Sequence, residues 1–379
     1  MPFERLSSSN IENTANKAVA ALRKGQIIVF PTETVYGLAV RASDEAAVQR
    51  LSRLKNRSEN HPFMLAFSKI EPLDDFVPDM EPLALRLIRR CLPGPVSLVL
   101  DIPPRDSDFY LLPPTVQNAV SRIIPPTDTA SQTKTVCFRV PNHPFALKVL
   151  AQLDEPIILT SANRTGQSEK STVDEIITEL GSGIDLIVDD GVRSETKPST
   201  IIRVSAGRYS ILREGVLKRE TLERLTARMI LFVCTGNTCR SPMAERICEN
   251  LIAKRFCCSL DQLEEHGFVV LSAGVSVGGV SSASPQAIEV LRSKGLDLTD
   301  HRSQQLNETH IRFADHIFAM TRNHRATILS FWPRADMRLN VLRTDGGDIS
   351  DPFGCSDKIY ADCAQQLELE IGKRLDEIL

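Results

Sequence analysis

The run Met229-Ile-Leu-Phe-Val233 leads directly into Cys234-Thr-Gly-Asn-Thr-Cys-Arg-Ser-Pro242, and Met243, Ile247 and Leu251 then recur at helical spacing. Few arrangements accept that order. An apolar strand, a short polar loop and a helix start set unpaired backbone N–H groups around one concavity, where an anion is stabilised. Gly236 permits the tight turn, Ser241 suits the helix N-cap and Pro242 its first turn. A cysteine at the mouth of such a loop is expected to sit partly as thiolate and to act as a nucleophile. Six residues on, the guanidinium of Arg240 can fold back and grip two phosphate oxygens as a bidentate fork.

Displacing a poor leaving group from phosphorus needs a general acid, and hydrolysing a thiophosphate intermediate needs a base. Asp351, in Asp351-Pro-Phe-Gly354 ahead of the last helical stretch, is the candidate for both tasks. With these motifs in place, residues 229–379 resemble the low-molecular-weight protein-tyrosine-phosphatase family over their whole length. Ser272-Ala-Gly-Val275, Ser284-Pro-Gln-Ala287, Ala314-Asp315 and Ala319-Met-Thr321 stand where that family has similar segments. The resemblance implies Cys234 as nucleophile, Arg240 as phosphate clamp, Ser241 as thiolate stabiliser, Asn237 as loop organiser and Asp351 as general acid. Thr235, Gly236, Thr238 and Cys239 complete the phosphate loop.

Two positions sharpen the substrate. Tyrosine phosphatases of the family usually carry an aliphatic residue before the second loop cysteine and a tyrosine after Asp-Pro. Here Thr238 and Phe353, followed by Gly354, are similar to the protein-arginine-phosphatase branch, which implies phosphoarginine ahead of phosphotyrosine. Arsenate reductases share the fold but relay their chemistry to downstream cysteines, and none lies between Cys258 and Cys355. Cys239 has two readings, a packing residue or the partner of Cys234 in a reversible, protective disulfide.

The chain of 379 residues is long enough for two domains. Helical and strand patterns alternate from end to end, which predicts α/β architecture. Ala15, Val19 and Leu22 mark one helix, and Val48, Leu51 and Leu54 another. Strands are expected at 26–30, 63–67, 96–100, 136–140, 157–160 and 184–188. The stretch 101–134, rich in Pro, Ser, Thr and Asp, reads as a long loop or lid. The segment 218–228 reads as a helical linker between a domain at 8–217 and a second at 229–379.

In the first domain, Phe30-Pro-Thr32-Glu-Thr34-Val-Tyr36-Gly37-Leu38 gathers hydroxyls at a strand end, where α/β folds bind ligands. Lys55-Asn-Arg57, Ser161-Ala-Asn163, Lys197-Pro-Ser199-Thr200 and Arg213-Glu-Gly215 recur at similar places and point to one shared polyanion site. The set, with Pro93-Gly-Pro95 and Arg139-Val-Pro141, resembles the YrdC/Sua5 family of threonylcarbamoyl-adenylate synthases over roughly residues 8–217. The resemblance implies a twisted open α/β sheet with a concave ligand face. It also implies a reaction joining L-threonine, bicarbonate and ATP, with Mg²⁺ on the phosphates, to give threonylcarbamoyl-AMP and pyrophosphate. A partner complex then transfers the threonylcarbamoyl group to tRNA. Thr32 and Thr34 would lie at the threonine end and Arg139 near the threonine carboxylate. Lys55, Arg57, Ser161, Asn163, Ser199 and Arg213 would hold ATP and the intermediate. His61, Ser97, Arg203 and the stretch 101–134 depart from the family pattern.

Charge bounds the partners. With 45 Lys and Arg against 48 Asp and Glu, the formal net charge is −3, and neither half has the basic balance of a duplex-binding domain. Strong direct nucleic-acid binding is not expected. A phosphoprotein is the expected substrate of the second domain. Neither a CxxC pair nor a Cys/His zinc pattern occurs, so neither a metal site nor a tightly bound cofactor is expected. No apolar run reaches the ~18 residues of a membrane helix and the first residues lack a signal-peptide core, so a cytoplasmic location is expected. A different class of function stays open: the first domain as a nucleotide- or RNA-binding regulatory module beside an active phosphatase.

Overall fold

The computed structural model describes residues 2–7, 9–57, 61–104, 107–124, 133–193 and 197–379. They divide into two units, Met1–Leu225 and Thr226–Leu379.

The first unit contributes strands β1 (Phe3–Arg5), β2 (Ile28–Phe30), β3 (Gly37–Arg41), β4 (Met64–Ala66), β5 (Val96–Ile102) and β6 (Ser121–Ile124). It continues with β7 (Thr133–Arg139), β8 (Ile157–Ser161), β9 (Leu186–Asp189), β10 (Thr200–Ser205) and β11 (Arg208–Arg213). These form one mixed sheet in the order β1-β9-β2-β3-β8-β4-β7-β5-β10-β11. The edge of β7 facing away from β5 is shared: β4 pairs with its C-terminal half and β6 with its N-terminal half.

The period of two along each strand separates two faces. On β5, β7 and β10 the residues Leu98, Leu100, Val136, Phe138, Ile202 and Val204 join one large core. Helices Glu45–Lys55, Pro82–Cys91, Pro114–Val120 and Val173–Leu180 cover it with Val48, Leu51, Leu87, Val116 and Ile176. Each such side chain stabilises the fold by roughly 1.5–3 kcal/mol. The opposite face is covered only in part. Helices Ile11–Arg23 and Pro144–Leu150 pack Ala18, Leu22, Phe145 and Val149 onto Ile28, Ala39, Ile157, Leu159 and Val188. Beyond their reach, Ser97, Cys137, Arg139 and Ile201 face a cavity.

All six expected strands occur, but the expectation for 101–134 is corrected. Asp101 and Ile102 finish β5, Asp108–Leu111 is a 3-10 turn, Pro114–Val120 a helix and Ser121–Ile124 a strand. Pro113 and Pro114, which suggested a loop, serve instead as a helix start, with Pro114 in the first turn and Val116 and Val120 buried at i, i+4. Residues 105–106 and 125–132 of that stretch lie outside the described residues. Strands β3, β10 and β11 carry no expectation above. Gly37–Arg41 was absorbed into the hydroxyl-rich turn, and β10 and β11 form a hairpin whose turn residues Ala206 and Gly207 both have positive φ.

The second unit holds β12 (Arg228–Cys234), β13 (Phe268–Gly274), β14 (His316–Ala319) and β15 (Leu339–Val341) in the order β13-β12-β14-β15, all parallel. Ile230 and Phe232 face helices Arg240–Phe256, Pro285–Ser293 and Asp357–Ile378. Leu231 and Val233 face helices Glu308–Phe313 and Arg322–Phe331. This is the small doubly wound sheet expected from the sequence. Its order reverses direction at β12, so the loop after Cys234 opens at the switch point where such sheets bind ligands.

Candidate active sites

Cys234 ends β12 at 3% exposure. Its Sγ is 3.0 Å from Ser241 Oγ and accepts the backbone N–H of Asn237 at 3.3 Å. Asn237 is wholly buried with φ of 56°, a left-handed conformation that Asn tolerates better than most side chains. It is fixed on three sides: His301 Nε2 meets its carbonyl at 2.8 Å, Gln304 N–H donates to its Oδ1 at 2.9 Å, and its Nδ2 reaches Ser241 and Ser272. The helix begins at Arg240 with Cys239 at its N-cap, so the expectation that Ser241 caps it is corrected. The Ser241 hydroxyl is engaged by the sulfur and by Asn237 instead.

Arg240 is buried, and its Nη2 donates to Asp351 Oδ2 at 2.6 Å while Nη1 reaches Ile349 O at 3.4 Å. Cys234, Arg240 and Asp351 are thus gathered at one loop. Thr235 Oγ1 lies 2.8 Å from His324 Nε2, and Thr321 Oγ1 lies 2.9 Å from His324 Nδ1. Burial, with the Arg240 charge second, holds His324 down to about 4. Gly236 and Thr238 are half-buried along the loop. Cys239 Sγ faces Tyr360 Oη at 3.3 Å and Ser284 Oγ at 3.4 Å. Phe353, two residues past Asp351, is 73% exposed. His301, Gln304 and His324 escaped the sequence reading because no local motif marks them; their signal is three-dimensional.

In the first unit, a cavity of about 590 Å³ lies over the open part of the sheet, within the range usual for small-molecule sites. Thr32, Arg57, Arg139, Ser161, Ser199 and Arg213 are on its wall. Strand register explains the convergence. Phe138 on β7 is level with Leu98 on β5, which brings Arg139 and Ser97 together at the strand ends; Ser97 is level with Ile201 on β10, and Ile201 with Arg213 on β11. One row of the grid is therefore polar and cationic. The next, Met64, Cys137 and Val99, is apolar until it reaches Arg203 on β10, which also lines the cavity.

Arg57 donates to Thr160 Oγ1 at 3.1 Å, Pro62 O at 2.5 Å and His61 O, and its guanidinium lies 4.2 Å over the Phe63 ring. Arg213 donates to Ser199 O at 2.9 Å, and Ser199 Oγ is 2.8 Å from Ser97 Oγ. Burial lowers Arg57 to about 10 and lowers Arg213 as well. Burial pushes the Cys137 thiol up to about 12 although Arg213, Arg139 and Arg57 all pull it down. With Arg122 and Arg203 also on the wall, five arginines line one partly dehydrated space, which favours an anionic ligand there.

Thr34, Lys55 and Asn163 lie behind the wall rather than on it. Lys55 Nζ donates to Ser161 O at 2.5 Å, Asn163 O at 2.6 Å and Asn163 Oδ1 at 3.3 Å. Burial and then Arg57 pull it down to about 7, with the Glu179 and Glu169 charges opposing. Asn163 Oδ1 also accepts from Ser161 Oγ at 2.5 Å. Thr34 Oγ1 and Glu33 Oε1 both take Arg139 Nη2, at 3.0 and 2.9 Å. Glu33 was missed as a partner because its neighbours in sequence are the conspicuous hydroxyls. Among the described residues no group of three or more His, Cys, Asp or Glu side chains is placed to hold a metal ion, and no helix is long and apolar enough to cross a membrane.

Comparison with known proteins separates along the same division. The Sua5/YciO/YrdC family model, described as telomere recombination, matches residues 20–215. The low molecular weight phosphotyrosine protein phosphatase model matches residues 229–378. A threonylcarbamoyl-AMP synthase of Pyrococcus abyssi is 30% identical over 55% of this chain and 56% of its own length. The chain therefore spans a little over half of that relative. A protein-arginine-phosphatase of Geobacillus stearothermophilus is 41% identical over 39% of this chain and 95% of its own length. The solved YwlE arginine phosphatase from the same organism is 38% identical, with a TM-score of 0.35 over 40% of this chain and 92% of that one. The chain belongs to the Sua5/YciO/YrdC family over residues 20–215 and to the low-molecular-weight phosphotyrosine protein phosphatase family over residues 229–378, two enzyme families in one polypeptide.

Proposed function

We propose that the chain is bifunctional. Its first unit makes threonylcarbamoyl-AMP from L-threonine, bicarbonate and ATP, releasing pyrophosphate, and hands the threonylcarbamoyl-AMP to a tRNA-modifying transferase complex. Its second unit hydrolyses phosphoproteins through a phosphocysteine, with phosphoarginine favoured over phosphotyrosine. Both activities are assigned to the cytoplasm, with the segment 218–228 dividing them.

The observation that supports the synthase is the convergence of Arg57, Arg139 and Arg213 with Ser161, Ser199 and Thr32 on one cavity. Two anionic reactants, a threonylcarbamate and a nucleoside triphosphate, must be brought together there against their mutual repulsion. The guanidinium groups neutralise the charge, and the rigid strand register sets the reacting groups in line. Lys55 acts from behind, fixing Ser161 and the Asn163 turn through their carbonyl oxygens. Mg²⁺ enters with ATP as part of that substrate. Strong RNA binding is not required by this reading.

The phosphatase reading rests on Cys234 at the loop and on Arg240, which pairs with Asp351 beside it. The Cys234 sulfur attacks phosphorus and the leaving group departs with a proton from Asp351. Loop N–H groups and Arg240 hold the phosphoryl oxygens. Water then attacks the phosphocysteine, Asp351 takes its proton, and phosphate leaves with the thiolate restored. Thr238 leaves a smaller, hydroxyl-bearing pocket wall than a branched aliphatic side chain, which suits a phosphoguanidinium group.

Two measurements on the full chain test the pair. Pyrophosphate release should require ATP, L-threonine and bicarbonate together; no release, from protein whose phosphatase unit is active, would reduce the first unit to a nucleotide-binding module. Hydrolysis of p-nitrophenyl phosphate should vanish in Cys234→Ser, and persistence there would remove Cys234 from the chemistry. Phosphoarginine hydrolysed no faster than phosphotyrosine would overturn the preference alone.

A further inference from the structure

Two cations on the cavity wall of the first unit have no task in the synthesis as described, Arg122 on β6 and Arg203 on β10. Arg203 is level with Val99 on β5, and Arg122 with Thr135 on β7. Asp101 stands on the other side of Thr135, and both of its oxygens are taken. Oδ1 accepts Arg203 Nη2 at 3.2 Å, and Oδ2 accepts Ser205 Oγ at 2.8 Å. Asp101 is not itself on the wall, so it anchors Arg203 from behind and leaves the rest of the guanidinium to the cavity.

These two arginines stand apart from Arg139. Arg139 is four residues beyond Thr135 on the same strand, roughly 13 Å away at 3.2–3.4 Å per residue, and it is held by Glu33 and Thr34. Cys137 and Val99 form an apolar floor between the two places. One carboxylate or one phosphate cannot engage both; an extended polyanion can. The proposed reaction brings one in. A carbamate oxygen attacks the α-phosphorus of ATP, the bond from that phosphorus to the bridging oxygen breaks, and its electron pair leaves with pyrophosphate; no proton changes hands. Negative charge thus grows on the outer phosphates, where a guanidinium fork stabilises it. A purine in the same place would leave both guanidinium groups without an anion. The ring-bearing side chains of the wall, Tyr36 and His61, lie on neither β5, β6, β7 nor β10.

We infer that Arg122 and Arg203 form the seat of the β- and γ-phosphates of ATP, and so of the departing pyrophosphate. The inference rests on the synthase reading of this cavity. Asp101 sets the Arg203 fork in advance, so little freedom is lost when the phosphates arrive. No motif marks either residue: both fall where the sequence departs from the family pattern, at Arg203 and within 101–134.

The test is titration calorimetry of the full chain with ATP and, separately, with AMP, each with Mg²⁺ and without threonine or bicarbonate. Arg203→Ala and Arg122→Ala should each weaken ATP binding about tenfold or more, the loss of one hydrogen bond to a charged group. AMP lacks the two outer phosphates and should bind the parent and both variants alike. Arg203→Lys keeps the charge but not the fork, and its ATP affinity should fall between parent and Arg203→Ala. Unchanged ATP affinity in both alanine variants would overturn the inference. Equal losses for ATP and AMP would overturn it too, since adenosine or the fold itself would then depend on these side chains. Should Arg203→Ala not fold with Asp101 left alone, Arg122→Ala gives the same decision from an exposed position. The synthase reading fails separately: ATP weakened as expected, with no threonine-dependent pyrophosphate release in the parent, would remove the synthesis and leave the phosphate seat standing.

Discussion

Arg240 Nη2 lies 2.6 Å from Asp351 Oδ2, although the two residues are 111 positions apart and only Asp351 is open to solvent. The phosphate clamp therefore holds the candidate acid over the loop. Asp351→Asn keeps the shape and removes the proton. Hydrolysis should slow by about 10²-fold for aryl phosphates with acidic leaving groups and by more for poor ones, since general acids contribute 10²–10⁴-fold. Rates on two aryl phosphates of different leaving-group acidity decide it. An equal loss on both would remove Asp351 from leaving-group protonation.

Arg213 offers the cleanest probe of the first unit. Arg57 also braces Thr160, Pro62 and Phe63, so its removal mixes binding with folding. Among the described residues, the Arg213 side chain donates to Ser199 alone. Arg213→Ala should weaken ATP binding by roughly 10- to 100-fold, the range for one charge-assisted contact of about 1.5–3 kcal/mol. Titration calorimetry with ATP and Mg²⁺ measures it. Unchanged affinity would place the nucleotide elsewhere.

The acid limb of stability should carry the signature of His324. Its folded value, about 4, lies below the ordinary value of 6.5, so the unfolded chain binds the proton first as pH falls. Stability is then fully present above about pH 6.5 and is lost progressively down to about pH 4, by at most roughly 3 kcal/mol. Trp332, the single tryptophan, packs beside that histidine's helix and reports unfolding of the second unit. Denaturation midpoints from pH 4 to 7 should fall with acidity in the parent and much less in His324→Asn. Parallel slopes would rule the histidine out.

How much of this was legible in the sequence differs between the two sites for a physical reason. The phosphate loop is local: Cys234 to Ser241 is one strand–turn–helix, and its backbone fixes most of the geometry without help. Arg240 to Asp351 needed only one long-range contact. The first-unit cavity is instead a property of register. Arg57, Arg139 and Arg213 were each named from motifs, but how Arg139 and Arg213 come together emerges only when β5, β7, β10 and β11 are laid side by side. Lys55 was legible as important but not as buried, because nothing in Lys55-Asn-Arg57 announces that Ser161 and Asn163 will supply its acceptors. Pro113 and Pro114 misled for the opposite reason, since proline marks helix starts as readily as loops.

Gly215 ties that register to function. A Cβ placed there would lie 2.1 Å from Pro198 O and 2.6 Å from both Ser199 C and Thr200 N, all of them backbone atoms. No side-chain rotation can relieve that contact, so the two segments must separate. They are the segments that carry Ser199 and Arg213 to the cavity, and the separation would also stretch Val216 N–H to Pro198 O, now 3.1 Å. Gly215→Ala should destabilise the first unit by about 1–3 kcal/mol, as overpacking does elsewhere. Pyrophosphate release should fall by more than tenfold at temperatures where the variant is still folded, because a shift of about 1 Å in a positioning group is enough for such a loss. Hydrolysis of p-nitrophenyl phosphate by the same protein should stay at the parental rate. If pyrophosphate release survives while stability drops, the Pro198–Thr200 segment is scaffold only and Arg213 reaches the nucleotide without it. If both activities fall together, the variant has lost more than the local register, and circular dichroism at the assay temperature will show it.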